Sequence, residues 1–323
     1  MRMATYSELT NSSAQEIANN LRSGNYSLLD SIGCHKLRAE MRFVGFCCRR
    51  ILRKAEKKAK KRKGRDDDYP LRLRKAMYDT LYKGAPLQFS GDLPDIDGGV
   101  IVGFNHPTLG EIIRLIALCL DKYPDREYLF PVNIAWYEML APIADRMEDF
   151  GLHIVPTITP NTRKRIESMV NEATMKLVDK ISIEFNSFYI TSCSWFIQKR
   201  TVILVAPSAT RQKTVFRSRA SFLGEEVIDP PTMTYLAISL RRVKSSDFVF
   251  QPIAVAPPIK ANRGLNLFKT YNLYAASAFP KSKVQELCKE KSPITQERSF
   301  ERAFLMSICS ILNKHKRDDL TTP

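Results

Sequence analysis

Gly99-Val100-Ile101-Val102-Gly103-Phe104-Asn105-His106-Pro107-Thr108-Leu109-Gly110-Glu111 joins an apolar run to the start of a helix. The β-branched residues from Val100 to Val102 suit a short buried strand, and Asn105 and Pro107 stop it. A Pro-Thr-Leu-Gly turn follows, and Glu111 opens the apolar segment Ile112 to Leu120, which reads as helix. His106 is therefore expected at the C-terminal end of a strand, where open α/β sheets place their ligand sites. Glu111 falls in the first helical turn, where the helix dipole favours a carboxylate. A tight turn can return that carboxylate to one imidazole nitrogen and leave the other facing a cleft. A base with its orienter is the core of hydroxyl activation. The spacing alone also allows a capping histidine and an ordinary helix-capping glutamate, so the other stretches of the chain must decide.

Composition narrows the choice. The 323 residues, 44% hydrophobic and 10% aromatic, suffice for one large domain with an extension. The formal charge of +16 points to an anionic partner. Arg49 to Arg65 holds eleven Lys or Arg against one Glu, a net +10 of that total, so the rest of the chain is only mildly basic. The run contains no aromatic residue to stack on bases, which argues against single-stranded nucleic acid as the partner. The seven cysteines form no CxxC pair and the four histidines are scattered, which predicts reduced thiols and no metal site. Thr5 to Asn20 is polar and carries no signal-peptide pattern. No uninterrupted apolar stretch is long enough to span a bilayer, because Arg114 divides Ile112 to Leu120. The expectation is a cytoplasmic protein, peripherally membrane-associated.

Residues 1–66 read as a helical, polybasic N-terminal region and 67–323 as an α/β domain, with Asp66 to Pro70 as the linker. Phe43, Phe46, Cys47, Cys48, Ile51 and Leu52 beside the basic run suit an interfacial helix on anionic lipid. Helix is expected over Leu71–Tyr82, over Ala135–Asp149 with a kink at Pro142, and over Thr162–Arg200, Thr232–Arg242 and Ser299–Lys314. Strands are expected at Tyr128–Val132, Leu152–Val155, Val202–Val205 and Phe248–Val255. Pro252 would put the last at an edge or a distorted end. This alternation predicts a mixed, largely parallel sheet flanked by helices.

A second constellation follows the strand Val202–Val205: Ala206-Pro207-Ser208-Ala209-Thr210-Arg211-Gln212-Lys213, with Arg217 and Arg219 behind it. Small residues let backbone amides approach an anion, and Arg and Lys supply charge and forked donors for phosphate. In a parallel sheet this loop and His106 would open on the same edge.

Together these stretches resemble the glycerolipid acyltransferase superfamily, the glycerol-3-phosphate and lysophosphatidic acid acyltransferases. Asn105-His106 with Glu111 resembles the first motif, a His, four residues and an acid, with Glu in place of the usual Asp. Ala206 to Arg211 resembles the third motif, in the Ala-Pro-Ser form of plastid-type soluble enzymes. Gly151 to Pro156 sits where the second would fall, without its arginine; Arg163 or Arg165 would be distant substitutes. Pro252 to Val255 resembles the fourth. The resemblance covers about residues 98 to 258 and implies the corresponding α/β fold.

It also implies an activity: transfer of a fatty acyl group from an acyl thioester to a hydroxyl of glycerol 3-phosphate or a lysophospholipid. His106 would be the general base, oriented by Glu111. Ser208, Thr210, Arg211 and Lys213 would hold the acceptor phosphate. No cofactor or metal is implied; acyl-CoA or acyl carrier protein serves as co-substrate. The partners would be the thioester donor, a phosphorylated glycerolipid acceptor and an anionic membrane surface. A non-catalytic lipid-binding relative is the alternative, and retention of both His and acid favours the enzyme. His153 reads as a packed or capping residue.

Overall fold

The central strand of the protein is the quoted run itself. The computed structural model describes residues 35–62, 68–158, 163, 167–168, 172–206, 231–244, 246–261, 266, 268–288 and 293–321. Within them β2 (Gly99–Phe104) is buried at every position, as a strand covered on both faces must be. It lies between β5 (Val202–Val205) and β6 (Phe248–Ala256), parallel to both. The full order is β1-β7-β6-β2-β5-β3-β4, with β8 also on β6. Here β1 is Leu87–Ser90, β3 Tyr128–Asn133, β4 Leu152–Thr157, β7 Tyr271–Ala275 and β8 Phe279–Pro280. Strands β2 to β6 run the same way, while β7 and β8 pair with β6 antiparallel. The protein is thus α/β, with a mostly parallel mixed sheet flanked by helices, as expected.

Alternation along the strands divides the core into two layers. Val100, Val102, Val202, Leu204, Val249 and Ile253 face one. Helices α1 (His35–Lys61), α2 (Tyr69–Gly84) and α3 (Gly110–Lys122) contribute Leu52, Leu73 and Leu115 to it. Ile101, Ile203, Val205 and Phe250 face the other, with Tyr189 of α6 (Glu172–Gln198), Leu236 of α7 (Pro231–Arg242) and Phe304 of α9 (Pro293–Lys314). A short α8 (Lys281–Leu287) precedes α9. Gly103 belongs to the second layer, and a Cβ there would stand 2.3 Å from the Phe250 ring. A larger residue there would require the Phe250 ring to move.

Several boundaries depart from expectation. Pro142 does break its segment, into α4 (Ile134–Leu140), a 3₁₀ turn Ala141–Ile143 and α5 (Ala144–Glu148). β4 continues through Pro156, which an edge strand tolerates because one side needs no ladder bond. Pro252 lies inside the sheet, correcting the edge assignment. It sits where the outer partner of β6 changes from β8 to β7, and its carbonyl accepts from Ala276 N–H at 3.0 Å. Pro70 opens α2, lying in its first turn, where a missing N–H costs nothing. Strands β1, β7 and β8 were not anticipated.

The polybasic run lies on α1 from Arg49 to Lys61. Leu52, Ala55 and Ala59 are buried in the core, and Arg146 of α5 pairs with Glu56. Arg50, Arg53, Lys54 and Lys57 occupy the exposed face with Phe46. Of the apolar stripe read as lipid-facing, Leu52 is buried and Cys48 and Ile51 pack against the core, while Phe46 is exposed. Residues 1–34 and the 66/67 boundary lie outside the described residues. Among the described residues no helix is long and apolar enough to cross a membrane.

Candidate active site

The strand–turn–helix of the quoted stretch ends in a side chain that imitates backbone. Asn105 is buried, its Nδ2 donates to Val255 O at 2.9 Å, and its Oδ1 accepts from Val255 N–H at 2.7 Å. The amide thus continues the β2–β6 ladder past Phe104↔Ile253 while the main chain turns away. An aspartate offers no donor for the first bond and an alanine offers neither group. The turn that begins here delivers His106 to the C-terminal edge of the parallel strands.

Glu111, in the first turn of α3, is wholly buried and binds His106 Nδ1. Its second oxygen accepts from Thr108 Oγ1 at 2.5 Å. Thr108 Oγ1 also accepts from Gly110 N–H at 3.0 Å and lies 2.7 Å from the hydroxyl of Tyr271. The proton count along this chain assigns every role. Thr108 has one hydroxyl proton, and it goes to Glu111, so Tyr271 donates to Thr108. A carboxylate offers no proton, so His106 Nδ1 carries one, and in the neutral imidazole Nε2 then presents its lone pair. The His106 side chain is 12% exposed, and Nε2 has no protein partner among the described residues. An oriented imidazole with one open basic nitrogen is equipped to take a proton from a hydroxyl.

Tyr271 and Arg114 hold this arrangement from behind, and neither was singled out as a site residue from the sequence. Tyr271 opens β7 and is fully buried; burial raises its phenol above the usual value, which keeps it a proton donor. The Arg114 guanidinium stacks on its ring at 3.8 Å. Arg114 is likewise buried and donates to four carbonyls: Gly110 at 2.7 Å, Pro86 at 3.0 Å, Asn266 at 2.9 Å and Lys269 at 2.6 Å. One side chain thereby ties the turn of α3 to the approach of β1 and to the loop preceding β7. The signal in the sequence was Arg114 itself, a charge on the apolar face of a helix, which has to find several acceptors if buried.

Val205, the last residue of β5, pairs with Gly103, two positions before Asn105. The segment beginning at Ala206 therefore leaves the sheet beside His106, on the same edge. Ser208, Thr210, Arg211 and Lys213, with Arg217, lie outside the described residues. Arg163 is occupied by a two-point contact with Asp179, at 2.7 and 3.0 Å. Arg165 is outside the described residues.

Other nucleophile candidates sit in poor surroundings for chemistry. Burial pushes the thiols of Cys119 and Cys309 up to about 12 and that of Cys288 up to about 11, which keeps them protonated. His153 is a packed residue, as read: its ring lies against Phe196 at 5.1 Å, and Nε2 is 3.6 Å from Glu127. Compared with models of known protein families and with curated protein sequences, the chain matches none.

Proposed function

We propose that this protein is an O-acyltransferase of the glycerolipid type, moving a fatty acyl group from an acyl thioester to a hydroxyl of glycerol 3-phosphate or a lysophospholipid. The observation that carries the reading is the buried Glu111–His106 pair at the C-terminal edge of parallel strands, with Nε2 open. The adjacent departure of the Ala206 segment and the motif resemblance over residues 98 to 258 support it.

In this mechanism His106 Nε2 removes the acceptor hydroxyl proton as the oxygen attacks the thioester carbonyl. The C–O bond forms, the tetrahedral intermediate collapses, and the C–S bond breaks. The imidazolium returns its proton to the leaving thiolate. Glu111 stabilises that imidazolium and holds its tautomer, the role a carboxylate plays beside a catalytic histidine. No covalent acyl-enzyme is needed, so the buried cysteines stay outside the reaction. Arg211, Lys213, Ser208 and Thr210 hold the acceptor phosphate, and the exposed basic face of α1 favours an anionic bilayer where such acceptors reside.

The test is acyl transfer from labelled acyl-CoA and acyl carrier protein to glycerol 3-phosphate, lysophosphatidic acid, other lysophospholipids and a glycolipid. Transfer by wild type that disappears in folded His106→Ala is the expected result. A folded wild type that acylates none of these acceptors, while still binding anionic vesicles, would replace this reading with a non-catalytic lipid-binding one.

A further inference from the structure

We propose that the loop between β6 and β7 is a lipid-contact surface, with Ile259 and Phe268 entering an anionic bilayer beside the site. The choice of a bilayer as occupant rests on the glycerolipid reading above. Ile259 is 81% and Phe268 90% exposed, the two most exposed large apolar side chains among the described residues. Each is followed by an exposed lysine, Lys260 and Lys269. Apolar tips interleaved with cations are the composition of an interfacial membrane contact. Lysine at the headgroup level gains from negative lipid while its neighbour enters the acyl boundary.

Position and anchoring support the assignment. β6 is parallel to β2 and ends at Ala256, just beyond Val255, which Asn105 grips. The loop therefore starts at the sheet edge that carries His106. Lys269 Nζ donates to Lys260 O at 2.7 Å, so the two apolar–lysine pairs are neighbours on one surface. Arg114 holds the carbonyls of Asn266 and Lys269, and Arg317 holds that of Pro257 at 2.7 Å. Ile259 and Phe268 thus stand exposed within two residues of backbone carbonyls held by these arginines. A bilayer on this surface would bring an embedded acceptor to the side of the molecule on which Nε2 opens.

The test is flotation of the full-length chain with phosphatidylcholine vesicles, with and without phosphatidylglycerol. Wild type is compared with the double variant Ile259→Ser, Phe268→Ser and with His106→Ala. Wild type and His106→Ala should bind the anionic vesicles equally, and the double variant at least about tenfold more weakly. The circular dichroism of the double variant and its transfer to a water-dispersed acceptor should stay unchanged. Binding by the double variant within about twofold of wild type, or no wild-type binding, overturns the proposal. So does a shift from dimer to monomer in light scattering with unchanged vesicle binding, which would assign the patch to self-association. Vesicle binding is scored without substrate, so a loop-dependent loss in a protein that transfers nothing keeps the lipid surface and removes only the acyltransferase reading.

Discussion

The hydroxyl of Tyr271 lies 2.7 Å from Thr108 Oγ1 and is the donor of that bond, because the threonine proton is already given to Glu111. The candidate base therefore stands at the end of a four-residue relay of hydrogen bonds drawn from two distant parts of the chain. Tyr271 touches neither the base nor any acceptor; it is a positioning residue. Tyr271→Phe should lower kcat about tenfold, the worth of one buried hydrogen bond, with KM nearly unchanged. Thr108→Ala should do the same and Thr108→Ser should restore activity. A loss of stability in these variants with kcat unchanged would reduce the relay to packing.

Glu111→Gln tests the tautomer. A glutamine amide can donate to Nδ1, which would move the ring proton to Nε2 and remove the lone pair that faces the cleft. Transfer should fall by about 10³- to 10⁴-fold while the fold persists, as expected when a carboxylate orienter becomes an amide. Steady-state kinetics beside circular dichroism would check it. Retention of more than about a tenth of wild-type kcat would mean that Glu111 serves structure alone.

Arg114→Lys should be destabilising although the charge is kept. A lysine cannot reach four separate carbonyls or stack flat on Tyr271, and buried carbonyls would lose their donors. A loss of about 3 kcal/mol in denaturant unfolding is expected.

Gly103→Ala should cost about 1–3 kcal/mol, because the new methyl meets the Phe250 ring at 2.3 Å and β2 has no room to retreat. Adding Phe250→Leu should recover part of the loss. A double-mutant cycle with a favourable coupling energy would confirm that the clash is with this ring.

Acid should weaken the contact between Glu127 and His153. The hydrogen-bonding and ionic influence of His153 holds the Glu127 carboxyl below its ordinary value of 4.5, against the opposing effect of burial. A carboxyl whose folded pKa is depressed contributes stability above its unfolded value and loses it as pH falls through the folded one. The stability difference between wild type and Glu127→Gln should be present above the ordinary carboxyl value of 4.5 and diminish progressively as pH falls below it. A difference that grows on acidification would contradict this pairing.

The sequence by itself determined what near neighbours dictate. The strand Gly99–Phe104, the turn at Asn105-His106 and the helix that begins at Gly110 follow from β-branching, strand stoppers and helical periodicity, all acting over a few residues. His106 and Glu111 were legible for the same reason: five positions apart across one turn, they meet wherever the turn closes. Alternation of strands and helices was enough for an α/β sheet. It did not reveal β7, a five-residue strand whose buried residues are only Tyr271 and Leu273. Only the tertiary structure decided that Tyr271, 163 residues from Thr108, donates to it. The same holds for Arg114, which reads as a break in an apolar run and proves to be a buried clamp. Pro252 was misplaced because the partners of β6 are chosen by crossover connections and layer packing, which no local pattern encodes. α1 shows the same division. Its amphipathic period was visible in the sequence, but which body covers its buried side depended on the hydrophobic surface that α2 and α4 present to it.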